Sequence, residues 1–219
     1  MTNSLWNAGA FIFDLDGTLV DNTPAHLRAW AVFLASQGRE MGEAEFLQRF
    51  NGKTNADILR GALDRPLSPA EVEEFTGQKE AIYRDLYRPH LQPMPGLLEF
   101  LGRARDARIP MAVATSALPP NVEFVLGGLG LLRWFGAIIT AQDVRNTKPH
   151  PEVFLTAAER LGAEPGTCVV FEDSLSGIEA ARRAGMRAVA MTTTLRAEDF
   201  PAEPFLLRAA PDFIVLMDG

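Results

Sequence analysis

The stretch "FIFDLDGTLVDN", residues 11–22, ends an apolar run in two carboxylates spaced two apart, Asp14 and Asp16, with Gly17 and Thr18 following at once. Like charges at the end of a buried segment repel each other and resist leaving water. A shared cation would make the placement favourable. The ends of other apolar runs carry comparable groups. Thr115 and Ser116 follow Met111–Ala114, Asp143 and then Lys148 come after the weaker run Ala137–Thr140, and Glu172 and Asp173 follow "CVVF". In an open parallel sheet, ligands bind beyond the carboxyl ends of the strands, so these groups are expected to converge on one edge. There Asp14 and Asp173 can chelate a hard divalent cation such as Mg²⁺, which favours carboxylates, water and phosphate oxygens. Thr115, the Ser116 amide and Lys148 can hold further phosphate oxygens. An ionised Asp14 can attack phosphorus and become an aspartyl-phosphate. Asp16 can protonate the leaving oxygen and then activate water, with Gly17 allowing the turn between them.

The elements that must position these groups alternate. The short apolar runs Ala10–Phe13, Met111–Ala114, Val169–Phe171 and Ala188–Met191 read as strands covered on both faces. Between most of them lie helical patterns. Leu97, Leu98, Leu101 and Ala104 form one; Phe154, Ala157, Ala158 and Leu161 form another, between Pro151 and Gly162; Ile178 and Ala181 mark a third, closed by Gly185. The pattern predicts an α/β fold with a doubly wound parallel sheet. Residues 21–92 break the alternation. Helical stripes there include Leu27, Trp30, Ala31 and Leu34, then Ile58, Leu59, Ala62 and Leu63, then Val72, Phe75, Lys79, Ile82 and Leu86 behind the capping box "SPAE". An all-helical cap (21–92) inserted into a core of residues 1–20 and 93–219 is expected, with "VDNTP" and "RPHLQPMPG" as hinges.

The 219 residues are 47% hydrophobic and carry a net charge of -7, without a long basic run. That balance argues against nucleic acid or an anionic membrane as partner. The lone cysteine, Cys168, reads as a small core residue in a reducing compartment. The N-terminal residues lack the pattern of a signal peptide, and no segment has the ~20 apolar residues of a membrane span. A cytoplasmic protein is expected, acting as a monomer on a small molecule.

"DLDGT", "ATSA", "TKPHP" and "FEDSLSG" together resemble the four ordered motifs of the haloacid dehalogenase (HAD) superfamily. The helical insertion resembles the small cap of the subfamily that contains β-phosphoglucomutase and many sugar-phosphate phosphatases. The resemblance implies Asp14 as nucleophile and Asp16 as acid/base, with its backbone carbonyl also on the metal. It implies Thr115 and Lys148 on the phosphoryl group, Asp173 on Mg²⁺, and Glu172 as a metal ligand or its support. True dehalogenases lack the second aspartate. "HLRAW" resembles the mutase, whose matching histidine assists closure, which makes His26 a candidate. The mutase's "KGxSR" corresponds here to "NGKTN": Asn51 replaces the lysine and Asn55 the arginine that grips a second phosphate. Loss of that bidentate clamp favours a phosphatase over a mutase. Gly52, Lys53 and Lys79 remain substrate-binding candidates, Lys53 or Lys79 as replacements for the arginine.

Each residue also has a plainer reading. Thr115 and Ser116 can cap a helix. Lys148 alone can be a solvated lysine, and Glu172 can merely orient a neighbour. Asp143 and Asp21 read as turn or cap residues. His26 divides between helix surface and active-site closure, and Lys79 between snorkelling and substrate contact. Trp30 and Phe75 read as cap core. A non-catalytic protein that binds a phosphorylated ligand is a further class, but its motifs should be damaged, and Asp14, Asp16, Lys148 and Asp173 are all intact.

Overall fold

A computed structural model describes residues 5–50 and 53–217. Among these the chain forms two compact units, residues 1–21 with 92–219 and residues 22–91.

The first unit is built on six parallel strands in the order β3-β2-β1-β4-β5-β6. They are β1 (Ala10–Phe13), β2 (Met111–Ala114), β3 (Ala137–Ile139), β4 (Cys168–Glu172), β5 (Arg187–Met191) and β6 (Leu206–Ala210). Burial on both faces explains why β1, β2 and β4 are apolar almost throughout. The period of two divides β1 by size. Phe11 and Phe13 join Phe171, Phe100 and Phe213 in an aromatic layer, with Phe13 stacked on Phe171 at 4.6 Å. Ala10 and Ile12 face the other way, into a layer of small residues with Ala112, Ala114, Val170, Ala188 and Ala190.

The second unit contains α1 (Thr23–Ser36), α2 (Glu43–Phe50), α3 (Asn55–Leu63) and α4 (Pro69–Tyr87). Its core joins Trp30, Phe33, Leu34, Phe46, Phe50, Ile58, Leu59, Ala62 and Leu63, with Phe75 packed against them. Trp30 and Phe75 are therefore core residues. The Ser68–Glu71 capping box starts α4 as the sequence predicts. The predicted stripe of α4 holds in part: Val72, Phe75 and Ile82 pack against this core and Lys79 is buried, but Glu80, Tyr83 and Tyr87 are buried as well and Leu86 is only partly covered. On this face Lys79 pairs with Glu80, and the Tyr83 hydroxyl accepts from the Asn22 side-chain amide at 2.6 Å.

The remaining helices belong to the first unit. They are α5 (Leu97–Asp106), α6 (Pro119–Val122), α7 (Glu152–Leu161), α8 (Leu175–Arg183) and α9 (Ile214–Met217). α7 and α8 cover the small-residue face of the sheet, and Phe100 of α5 lies in the aromatic layer on the opposite face. Pro151 caps α7 rather than opening it. Among the described residues, no helix is long and apolar enough to cross a membrane.

Candidate active site

β1 has β2 on one side and β4 on the other, and Phe13 pairs with both Val113 and Phe171. Parallel strands in that register end together. Asp14, Thr115 and Glu172 therefore emerge side by side where the strand order reverses, and the Asp14 amide donates to the Phe171 carbonyl at 2.9 Å.

Lys148 reaches this edge from the loop before α7. Its Nζ donates to Asp14 Oδ1 at 2.5 Å and to Glu172 Oε2 at 2.8 Å. It also lies 4.8 Å from the centre of the Phe154 ring. The Lys148 side chain is 6% exposed, so the plainer reading of a solvated lysine is excluded. Glu172 Oε1 is held from the other side by the Ser174 amide at 3.0 Å and the Ser174 hydroxyl at 2.6 Å. Ser174 is also the N-cap of α8, accepting from the Gly177 amide at 3.1 Å. Gly177 is required by this packing, because a Cβ there would lie 2.0 Å from Glu172 Cδ.

Asp173, next in sequence, is buried beside them. One carboxylate oxygen from each of Asp14, Glu172 and Asp173 lies within 4.8 Å of the others. Three buried carboxylates face one ammonium, and the protonation balance follows. Burial above all raises the Asp14 carboxyl to about 8; Lys148 pulls it down, while the Glu172 and Asp16 charges add to the rise. Burial, then the Glu172 and Asp14 charges, push Asp173 well above the usual carboxylate range. Burial alone would lower Lys148, but its two carboxylate partners outweigh that and raise it, so it stays protonated. The excess of negative charge and the all-oxygen donor set fit a hard divalent cation.

Thr115 is buried, and its Oγ1 accepts from the Ala117 amide at 3.0 Å, a capping contact that leaves the hydroxyl proton to donate elsewhere. Ser116 is exposed at the same strand end. Asp16 is partly exposed, immediately before the left-handed Gly17 at φ +70°. A Cβ on Gly17 would lie 2.1 Å from Asp173 Oδ2, so glycine is needed both for its backbone angle and for space. Gly17→Ala is expected to lose about 1–2 kcal/mol from the left-handed backbone alone. It should lose more from the displaced carboxylate. Thermal unfolding measures the loss.

Asp143 is a turn residue, as its plainer reading had it: its Oδ2 accepts from the Thr140 amide and hydroxyl at 2.9 and 2.8 Å. Asp21 is exposed at the end of the first unit.

The cap candidates lie in the second unit. His26 stacks on Tyr83 at 3.8 Å, and its Nδ1 accepts from Lys79 Nζ at 2.8 Å. Accepting there places the ring proton of a neutral His26 on Nε2. Lys79 does not snorkel. It is 2% exposed, pairs with Glu80 at 3.0 Å and lies 5.1 Å from the Trp30 ring centre. Asn55 donates to the same Glu80 oxygen at 2.7 Å. Lys53 is exposed, 5.6 Å from the Phe50 ring centre. Gly52 lies outside the described residues.

Sequence reasoning did not single out Glu80, Ser174, Thr193 or Thr194. The Thr193 hydroxyl donates to the Gly17 carbonyl and the Thr194 hydroxyl to Asp173 Oδ2. Both follow β5, at the end of an apolar run like those that carry the other site residues.

A family model described as a haloacid dehalogenase-like hydrolase matches residues 8–185. Fructose-1-phosphate phosphatase YqaB of Escherichia coli is 34% identical over 178 residues, 81% of this chain and 93% of that protein. A phosphorylated carbohydrates phosphatase of Thermotoga maritima is 32% identical over 180 residues, 82% of this chain and 83% of the other. Among solved structures, a HAD hydrolase of family IA from Entamoeba histolytica superposes with a TM-score of 0.86 at 26% identity, covering 96% of this chain and 99% of that one. β-Phosphoglucomutase from Clostridium difficile gives 0.75 at 28% identity, covering 84% of each. The motifs at the strand ends, the parallel sheet that aligns them and these likenesses agree: the chain belongs to the haloacid dehalogenase-like hydrolases.

Proposed function

We propose that this chain is a Mg²⁺-dependent phosphatase that hydrolyses the phosphate ester of a small sugar phosphate through a phospho-Asp14 intermediate. The observation that carries the reading is the buried contact of Asp14 with Lys148 and Glu172 at the strand ends. A strand-end aspartate that served only to cap a turn would have no reason to carry an ammonium and two further carboxylates.

Asp14 attacks phosphorus, and the bond from phosphorus to the sugar oxygen breaks. Asp16, partly exposed one turn away, gives its proton to that oxygen. The same carboxylate then takes a proton from water, which attacks the phospho-Asp14, releases inorganic phosphate and restores the nucleophile. Lys148 holds charge on the phosphoryl oxygens while keeping Asp14 oriented, and the Thr115 hydroxyl donates to one of them. Asp14, Asp173 and Glu172, with the Asp16 backbone carbonyl, would hold the Mg²⁺. When bound, that cation supplies the positive charge that keeps the three carboxylates ionised and draws charge from the phosphoryl group. The buried Cys168, its thiol pushed up by burial, suits a reducing, cytoplasmic setting.

The helical unit supports a phosphatase over a mutase. A mutase has to hold a second phosphate, yet the buried Lys79 is already neutralised by Glu80, and Asn55 is tied to the same carboxylate. The names of the YqaB and Thermotoga relatives favour a phosphorylated sugar. The test is a panel of phosphorylated sugars that includes fructose 1-phosphate and β-glucose 1-phosphate, with Mg²⁺. Free phosphate and glucose 6-phosphate are followed together. Phosphate release is the expected result. Glucose 6-phosphate formed without phosphate would make the chain a mutase, and neither product from any substrate would overturn the phosphoryl-transfer reading.

A further inference from the structure

Three consecutive threonines, Thr192–Thr194, follow β5, and each is tied differently. The Thr192 amide donates to the Ala210 carbonyl at 2.9 Å, which fixes the start of the segment on β6. The Thr193 hydroxyl donates to the carbonyl of Gly17, in the turn that carries Asp16. The Thr194 hydroxyl donates to Asp173 Oδ2. That same oxygen lies against the Gly17 backbone, in space that a Cβ would take. Asp173 is thus held between a glycine turn and a hydroxyl, and the turn is itself pinned by the neighbouring threonine.

The arrangement meets a specific physical need. The terminal torsion of an aspartate is broad, so packing alone does not fix where its oxygens point. Asp173 also faces two other buried carboxylates that repel it, Glu172 and Asp14. Without a hydrogen bond to one oxygen, the carboxylate would turn away from them. A cation site needs the opposite, with the oxygens gathered before the ion arrives.

We propose that Thr194 is a positioning residue for the divalent cation, its hydroxyl holding Asp173 in the orientation that binds. This rests on the reading of Asp14, Glu172 and Asp173 as the cation's ligands. Groups that orient metal ligands are worth about 10–100-fold in metal affinity, and Thr194 is expected to fall in that range.

The test titrates Mg²⁺ into the full-length protein without substrate, by calorimetry and by the rise in melting temperature, for the parent, Thr194→Val and Thr194→Ser. Valine keeps the shape and removes the hydroxyl. Thr192 and Thr193 still anchor the segment, so before Mg²⁺ is added the melting temperature should fall only by the few degrees that one lost hydrogen bond costs. Thr194→Val is expected to bind Mg²⁺ about 10–100-fold more weakly, and Thr194→Ser to return close to the parent. Parent-like affinity in the valine variant, or a serine variant as weak as valine, would overturn the role of Thr194 while leaving the cation site standing. A parent that shows no Mg²⁺ binding would overturn the cation reading and this role with it.

Discussion

Asp14→Asn is expected to abolish turnover and, in the same tube, to make the metal-free protein more stable. The first effect follows from replacing a nucleophilic carboxylate by an amide that forms no acyl phosphate. Losing a catalytic nucleophile costs on the order of 10⁴-fold or more. The second follows from the charge balance at the strand ends. The Asp14 carboxyl is raised to about 8 in the folded chain, from 3.8. The folded state therefore binds a proton that the unfolded state has released, and stability falls as pH rises from about 4 to about 8. Asparagine has no such loss, so the gap between variant and parent should be small near pH 4.5, widen towards pH 8 and then level off. At pH 8 with a chelator present, the gain should be a few kcal/mol, or on the order of 5–10 °C for a chain of this size. Lys148 keeps Glu172 as its partner in the variant, so the ammonium is not stranded. Asp173 is raised in both proteins, which leaves the variant some pH dependence of its own. Saturating Mg²⁺ should shrink the difference by stabilising the parent. A variant less stable than the parent at pH 8 would mean that the Asp14–Lys148 attraction outweighs the burial of charge.

Much of this site is legible in the sequence because a parallel sheet converts order along the chain into position in space. Once Ala10–Phe13 and Cys168–Glu172 are read as adjacent parallel strands, the residues after them share an edge, and Asp14, Thr115, Glu172 and Asp173 follow. Lys148 needs the motif around it, because it sits on a loop whose path no periodicity describes. Thr193 and Thr194 were within reach of the same rule applied to β5. Strand β6, "LLRAA", escaped because it is an edge strand with an exposed arginine in its middle. Helix α2 escaped because only Phe46 and Phe50 mark its buried side. The predicted stripe of α4 captures only part of its buried side, for a different reason. Hydrophobic spacing cannot foresee that Lys79 and Glu80, adjacent in sequence and of opposite charge, will both be buried by pairing with each other and with His26 and Asn55. Such a cluster is offset by desolvation and contributes little to stability.

Lys148→Met should have the opposite signature to Asp14→Asn. Methionine fills a similar volume beside Phe154, so the change removes charge and leaves packing nearly intact. What remains is Asp14 and Glu172, both buried, which had shared one ammonium at 2.5 and 2.8 Å. Removing one partner from a buried ion pair costs about 3–5 kcal/mol, here a fall in melting temperature of roughly 10 °C. The loss depends on ionised carboxylates. It should therefore be largest above about pH 8 and shrink towards pH 4.5, where the protonated Asp14 carboxyl no longer needs the lysine. The double variant Asp14→Asn with Lys148→Met separates attraction from burial. If the two residues interact as the geometry indicates, Asp14→Asn raises stability more in the Lys148→Met background, where no ammonium attracts Asp14, than it does in the parent. The two single effects then fail to add by roughly 0.5–3 kcal/mol. Strict additivity would mean that Lys148 serves Glu172 rather than Asp14, and that the nucleophile is oriented by something other than the lysine beside it.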